Sequence, residues 1–386
     1  MTNVSPFLRK LVRFFVHPKI KFFRILFPAL LLWASSLHAQ EMKKSLRNRK
    51  LIAYPLAFYS PETRAGMGLA ATLNFRPVRK DTLSPVSQIS LGAAFTQNKQ
   101  MLLSVPFALY LNKRRHTLTG EFSMNDFWYY YYGTGSHNQK GVREKYTAEF
   151  PLFRINYLVR INRSLYVGAR WWFEDYRIGS FETTESFIGQ NKLAGKTSGP
   201  GLVFLLDTRD NIYYSTKGHY LELVAHDQSK RWGSDFAYRR YRADYRCFLP
   251  LTSKSTMAAH FFADYTEGNV PFNQLPGIGA GRRGRGFYEG RFRDQSILLL
   301  EAEYRKTLSG RWAMAAFMNY ALLGQNPASV SLSRDHLAAG VGLRYAFDIA
   351  NRTNVRLDIA FPIGGGEYVT APDGVMKIYF AVNEAF

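Results

Sequence analysis

The stretch GAGRRGRGFYEGRFRD, Gly279 to Asp294, gathers residues that could do chemistry: a G-x-G-x-x-G spacing at Gly279, Gly281 and Gly284, and five arginines within twelve residues. Such a spacing cradles a pyrophosphate only where a buried parallel strand precedes it and a helix N-terminus follows. Here Gly284 leads into RGFYEGRFRDQ and then into a run that alternates apolar and polar residues, so the match is coincidental. No G-x-x-x-x-G-K-[ST] loop occurs. A membrane hydrolase would need a Ser–His–acid or His–acid set at one rim, whereas His219, His226, His260 and His336 stand apart with no paired nucleophile signature, so the chain is expected not to be an enzyme. Cys247 is the single cysteine, which removes intramolecular disulfides and Cys-cluster metal sites, and no cofactor or metal is expected.

The elements that must position this stretch follow from composition and periodicity. The 386 residues carry a formal charge of +22, six units of which lie in the first forty residues, leaving +16 on the rest. That balance can attract nucleic acid or anionic lipid. The basic residues are scattered among acids, however, with no Lys/Arg block and no nucleic-acid motif, so nucleic acid is not expected as a partner. At the N-terminus a basic region through Lys21 and Arg24 precedes an apolar core, Ile25 to Leu37, closed by small residues at Ala39. About thirteen apolar residues are too few to span hydrocarbon, so residues 1–39 read as an export signal cleaved near Ala39.

After residue 40 no run of eighteen apolar residues occurs, and period two takes over. Leu337, Ala339, Val341, Leu343, Tyr345 and Phe347 share one face, opposite Ala338, Gly340, Gly342, Arg344 and Ala346. Val355, Leu357, Ile359 and Phe361 oppose Asn354, Arg356, Asp358 and Ala360. In Ala237 to Leu249 the polar face holds Arg240, Arg242, Asp244 and Arg246. In hydrocarbon every backbone N–H and C=O must be paired within the protein, so an exported spanning chain without apolar helices must close its sheet. The expected fold is therefore all-β: a transmembrane antiparallel β-barrel of about sixteen strands over residues 50–386, after a short periplasmic segment at 40–49, with lipid outside and a polar lumen inside. Short turns such as Asn112 to Arg115 and Leu308 to Arg311 alternate with long connections such as Phe127 to Lys145 and Glu267 to Asp294, the pattern of periplasmic turns and outer loops. The run WYYYY, Trp128 to Tyr132, reads as an interfacial girdle or an outer contact surface.

The arginine-rich stretch is the longest loop, between the eleventh and twelfth strands. RGF at Arg285 to Phe287, YEGRFRD at Tyr288 to Asp294 and EAEYR at Glu301 to Arg305 resemble the sixth loop and next strand of the BamA/TamA family of outer-membrane barrels, which also includes two-partner secretion translocators. The resemblance extends over the mature chain through YSPET at Tyr59, DTRDN at Asp207, STKG at Ser215, GVGLRYAF at Gly340 and the final Phe386. It implies a loop folded into the lumen, with Arg285 reaching acids on the following strands, Gly286 allowing a tight turn and Phe287 anchoring the tip. The matching partner positions are Glu303 and, where the family usually has Asp, Asn319. Either Glu303 alone holds Arg285, or Asp264 or Asp358 substitutes for the missing acid. Asp207, Arg209, Asp210 and Gly218 match a periplasmic turn motif.

The resemblance also implies a weakly bonded seam between first and last strands, with Pro55 deleting one ladder donor and Phe380, Val382 and Phe386 forming an outward assembly signal that Glu384 interrupts. The implied setting is the outer membrane of a Gram-negative bacterium, among outer-membrane lipids. The implied activity is help with insertion or translocation of client outer-membrane or surface proteins. Typical members carry periplasmic polypeptide-transport-associated domains, for which residues 40–49 leave no room, so a separate periplasmic or outer-membrane accessory protein is expected. The alternative is a passive pore or a structural barrel component of an outer-membrane complex.

Overall fold

The computed structural model describes residues 49–60, 63–78, 84, 86–135, 144–181, 194–279, 283–330, 335–349, 352–363, 376–382 and 384–386. The export signal, nearly all of segment 40–49 and Pro61 and Glu62 of the YSPET motif lie outside the described residues. Contacts divide the chain into two units, Met1–Lys50 and Leu51–Phe386, and the second holds the whole sheet apart from the first two residues of its first strand.

Seventeen strands form one antiparallel sheet: β1 (Arg49–Ser60), β2 (Arg64–Phe75), β3 (Ser87–Thr96), β4 (Met101–Leu111), β5 (His116–Tyr131), β6 (Glu144–Arg160), β7 (Leu165–Asp175), β8 (Arg177–Phe181), β9 (Lys196–Asp207), β10 (Gly218–Gln228), β11 (Ala237–Thr252), β12 (Ser255–Asn269), β15 (Ser296–Thr307), β16 (Trp312–Gly324), β17 (Asp335–Asp348), β18 (Thr353–Ile363) and β19 (Lys377–Val382). Two short strands, β13 (Gly277–Ile278) and β14 (Phe292–Arg293), pair only with each other, inside the loop that follows β12. β7 and β8 both pair with β6, through Leu152↔Glu174 and then Glu149↔Arg177, so they are one wall interrupted at Tyr176 and the sheet has sixteen walls. Each wall pairs with its neighbours in sequence, and β1 pairs with both β2 and β19, which returns the pairing to its start. Among the described residues each wall has a paired neighbour on both sides, as a hydrocarbon environment favours.

Alternation places the side chains as the sequence indicates. Along β15, Ile297, Leu299, Glu301, Glu303 and Arg305 are buried on the inner face while Leu300 and Ala302 are exposed on the outer. On β16, Phe317, Asn319 and Ala321 point in, and Met318 is 52% exposed on the outside. The outer wall also presents Leu202 at 73% and Val341 at 55%, the apolar surface expected of a wall that meets acyl chains. The short turn after β4 closes with Asn112, Lys113 and Arg114 all at positive φ.

Two stretches depart from the sequence reading. β5 runs on through Tyr131, because Tyr129, Tyr130 and Tyr131 stay in register with Tyr146, Lys145 and Glu144 of a longer β6. Tyr130 and Tyr132 then set their rings against Tyr288 of the arginine-rich loop, at 5.8 and 6.1 Å, so these rings brace the loop.

The other departure is a correction at the last strand, which stops at Val382 and does not reach Phe386. Phe380 remains in the sheet opposite Leu357, and Val382 opposite Val355, but Phe386 is 6% exposed and packs against Phe248 and Ala258 of the inner face. Glu384 supplies the reason. Continued alternation would aim its carboxylate outward with Phe380, into hydrocarbon; leaving the sheet after Val382 lets it meet Arg344 and Asn354 instead, at 3.1 and 2.7 Å.

Candidate functional site

The inner faces of β15 to β19 converge on the tip of the inward loop. Arg285 is 0% exposed. Its guanidinium donates from Nη2 to Glu303 Oε2 at 2.6 Å and from Nη1 to Asp358 Oδ2 at 2.8 Å, and it lies over the Phe317 ring at 3.5 Å. The two carboxylates flank it because pairing runs from Glu303↔Phe317 to Phe317↔Gly340, and Gly342↔Asp358 lies one inward step away. A planar guanidinium with a carboxylate at each fork and an aromatic face below is held in position and orientation at once.

Main-chain contacts fix the rest of the tip. Asn319 Nδ2 donates to the Arg285 carbonyl at 2.7 Å, Gly286 N–H donates to the Tyr379 hydroxyl at 3.1 Å, and that hydroxyl donates to the Phe287 carbonyl at 3.3 Å. Gly286 has φ 111°, and a Cβ there would stand 2.6 Å from Ala338 Cβ. Gly286→Ala is therefore expected to cost on the order of 1–3 kcal/mol in denaturant unfolding, from backbone strain plus the clash. Phe287 completes the anchor, packed with Phe262, Phe292, Ile297 and Leu299.

Of the two acids the sequence left open, Asp358 meets Arg285, while Asp264 of β12 pairs with Arg240 and Arg242 of the neighbouring β11. Asn319 sits beside the lock but binds its main chain. An amide suits that place, since the partner is a carbonyl needing a donor, which an ionised Asp could not supply.

Sequence reasoning did not assemble the remainder of the network. Glu303 also accepts from Arg305 at 2.6 Å and Arg344 at 3.5 Å. Asp358 also accepts from Arg344 and Arg356. Arg305 then donates to the Phe386 main-chain oxygen at 3.0 Å, and Arg344 to Glu384, so loop tip and C-terminal tail hang on one set of buried charges. Alternation places Arg305, Arg344, Arg356 and Asp358 on inward faces; what it lacks is the register that makes them neighbours.

The β9–β10 turn forms a second cluster. Arg209 donates to both oxygens of Asp207, at 2.9 and 3.1 Å. Asp210 accepts from the Thr216 N–H at 2.9 Å, the Thr216 hydroxyl at 2.7 Å, the Lys217 N–H at 3.2 Å and the Arg352 guanidinium from the turn after β17. Gly218 has φ 104°, with Thr208 O 2.4 Å from where a Cβ would be. The turn reaches the lumen, where Arg305 lies over the Tyr214 ring at 5.6 Å. Burial alone would raise the Asp210 pKa, but the donors from Thr216, Arg352 and Lys217 outweigh it and bring it down to about 2. A carboxylate depressed below its unfolded value stabilises the fold above that value, and loses the contribution as pH falls through the folded one. Amide protection at Thr216 and Lys217 is thus expected to hold from about pH 5 to 8 and to decline between about pH 4 and 2, measured by hydrogen exchange against a distant strand amide.

At the seam β1 pairs antiparallel with β19, Tyr59 standing opposite Phe380, and on its other side β19 pairs with β18 from Val355↔Val382 to Ala360↔Lys377. Pro55 lies within β1 and brings no N–H to the ladder.

Three comparisons bear on this arrangement. A family model described as the Omp85 superfamily domain matches residues 86–386. No curated protein matches the chain by sequence. Among solved structures the chain is similar to BamA from Haemophilus ducreyi lacking POTRA domains 1-3, at TM-score 0.58 and 13% identity over 87% of this chain and 70% of that one. It is similar to CdiB from Acinetobacter baumannii at TM-score 0.58 and 13% identity, over 87% of this chain and 59% of that one. For CdiB from Escherichia coli the values are 0.59 and 10%, over 86% of this chain and 62% of that one. The chain thus spans less than two thirds of either CdiB, and at these identities the likeness is one of fold.

Proposed function

The chain belongs to the Omp85 superfamily, and from that premise we propose that this outer-membrane β-barrel assists the insertion or translocation of outer-membrane or surface proteins, with no chemical step of its own and together with a separate accessory protein. The observation that carries the reading is the joining of Arg285, Glu303 and Asp358 to Glu384 and Phe386 in one buried network. A barrel that admits an incoming strand at its seam needs a sheet edge it can expose. It also needs a body that stays intact while the edge is free. The lock ties the last walls together from inside, and the seam where β1 meets β19 lies beside it.

Occupation of the lumen by the loop tip, and the reach of the β9–β10 turn and the tail to Arg305, favour this reading over a passive pore. The test is gentle extraction from outer membranes followed by copurification, with Arg285→Ala and Glu303→Ala strains compared. The expected result is a copurifying membrane or periplasmic protein and depletion of other surface proteins in the variant strains. Variants that assemble normally with the surface proteins unchanged would contradict it.

A further inference from the structure

Beneath the inward loop lies a cavity of about 610 Å³ lined by six arginines: Arg154, Arg209, Arg242, Arg246, Arg283 and Arg293. They come from four separate elements: β6, the β9–β10 turn, β11 and the loop itself. The carboxylates behind them are shared. Asp264 serves Arg242 together with Arg240, and Asp244 serves Arg246 and Arg283, with His260 Nε2 3.3 Å away as well. Arg209 has Asp207, and Arg154 has Glu121 at 3.4 Å while its buried Nε has no partner. Arg293 donates to the carbonyls of Gly290, Phe272 and Asn273 and meets no carboxylate among the described residues. Glu289 and Glu384 also reach the wall, the latter already bonded to Arg344 and Asn354.

Six lining guanidiniums, with Arg240 behind them, thus share the four carboxylates of Glu121, Asp207, Asp244 and Asp264, and Glu289 and Glu384 bring two more to the wall, the second engaged by Arg344, so positive charge stays in excess around the space. Unneutralised like charges converging in a lumen of reduced dielectric repel one another, and the surplus N–H forks point at a common volume. A tetrahedral oxyanion answers both conditions, because its oxygens accept from several guanidiniums at once and its charge offsets the excess. The volume falls in the range of small-ligand sites. We infer that this cavity binds a small phosphate-bearing anion, whose oxygens bridge the loop arginines Arg283 and Arg293 to Arg154, Arg242 and Arg246 on the wall.

The probe is pyrophosphate, titrated calorimetrically into the purified full chain in neutral detergent at constant ionic strength. Saturable binding is expected, weakened about tenfold in Arg283→Gln and again in Arg154→Gln, both partly exposed and outside the Arg285 lock, with the exposed Arg231→Gln unchanged as control. Nanodiscs separate the sources of the anion. A rise in melting temperature with pyrophosphate in phosphatidylcholine discs assigns the site to a soluble phosphate; a rise in phosphatidylglycerol discs without it assigns the same chemistry to a lipid headgroup. No saturable binding or thermal shift in either arm, affinity in both cavity variants equal to that of the unsubstituted chain, or binding of an acidic peptide alone would overturn the inference.

Discussion

Glu303→Gln is expected to be the most destabilising single change in the barrel, lowering unfolding stability by about 3–5 kcal/mol, because it leaves buried guanidiniums without their shared anion. Glu303 accepts from Arg285, Arg305 and Arg344, and after the substitution Asp358 and Glu384 would have to balance four arginines, including Arg356. Glutamine keeps the volume and can accept through its amide oxygen, so the effect reports charge and not a cavity. Urea unfolding in detergent measures it. Arg285→Met combined with Glu303→Gln should cost less than the two singles together, since each alone strands a charge that the other removal relieves. Additive effects would mean the two residues are not coupled.

Phe386→Ala combined with Glu384→Gln is the second large effect expected, about 3–5 kcal/mol from the lost ring burial alone. The Phe386 ring lies 5.0 Å from His260 and 5.7 Å from Arg305, and its main-chain oxygen receives Arg305. With the tail released, β19 has only its ladders to β18 and β1 to hold it. Faster amide exchange along Ile378 to Val382 and a smaller assembled fraction should follow. Phe380→Ala, on the outer face, is the contrast: it removes apolar contact without touching the network and should leave exchange in β19 near its normal rate. A larger effect from Phe380 than from Phe386 would restore the outward assembly signal that the family resemblance implied.

Strand number and faces are legible in the sequence because a sheet wall with lipid on one side and charge on the other writes its geometry at period two. Glu303, Arg344 and Asp358 fall on inner faces from alternation alone. The lock is legible only where a loop motif points to Arg285. Choosing between Asp264 and Asp358 requires register, which depends on turns and long-range pairing, and a slip of two residues would carry either acid out of reach. Alternation misleads at the tail because Ile378, Phe380, Val382 and Phe386 keep period two to the end. The single dissenting residue, Glu384, holds the information that the chain leaves the sheet. Tyr129 to Tyr131 read as lying beyond their strand because aromatic runs mark both interfaces and braces, and only the partner Tyr288 decides between them.

The most direct measurement is a reversible bond across the seam. With Cys247 replaced by serine, cysteines at the registered positions Tyr59 and Phe380 allow the first and last walls to be joined by oxidation and freed by reductant. If the seam admits client strands, the oxidised barrel assembles and keeps its thermal stability but fails to support the surface proteins that depend on it, and reduction restores them. Full support from the oxidised, covalently closed barrel would contradict the proposed function.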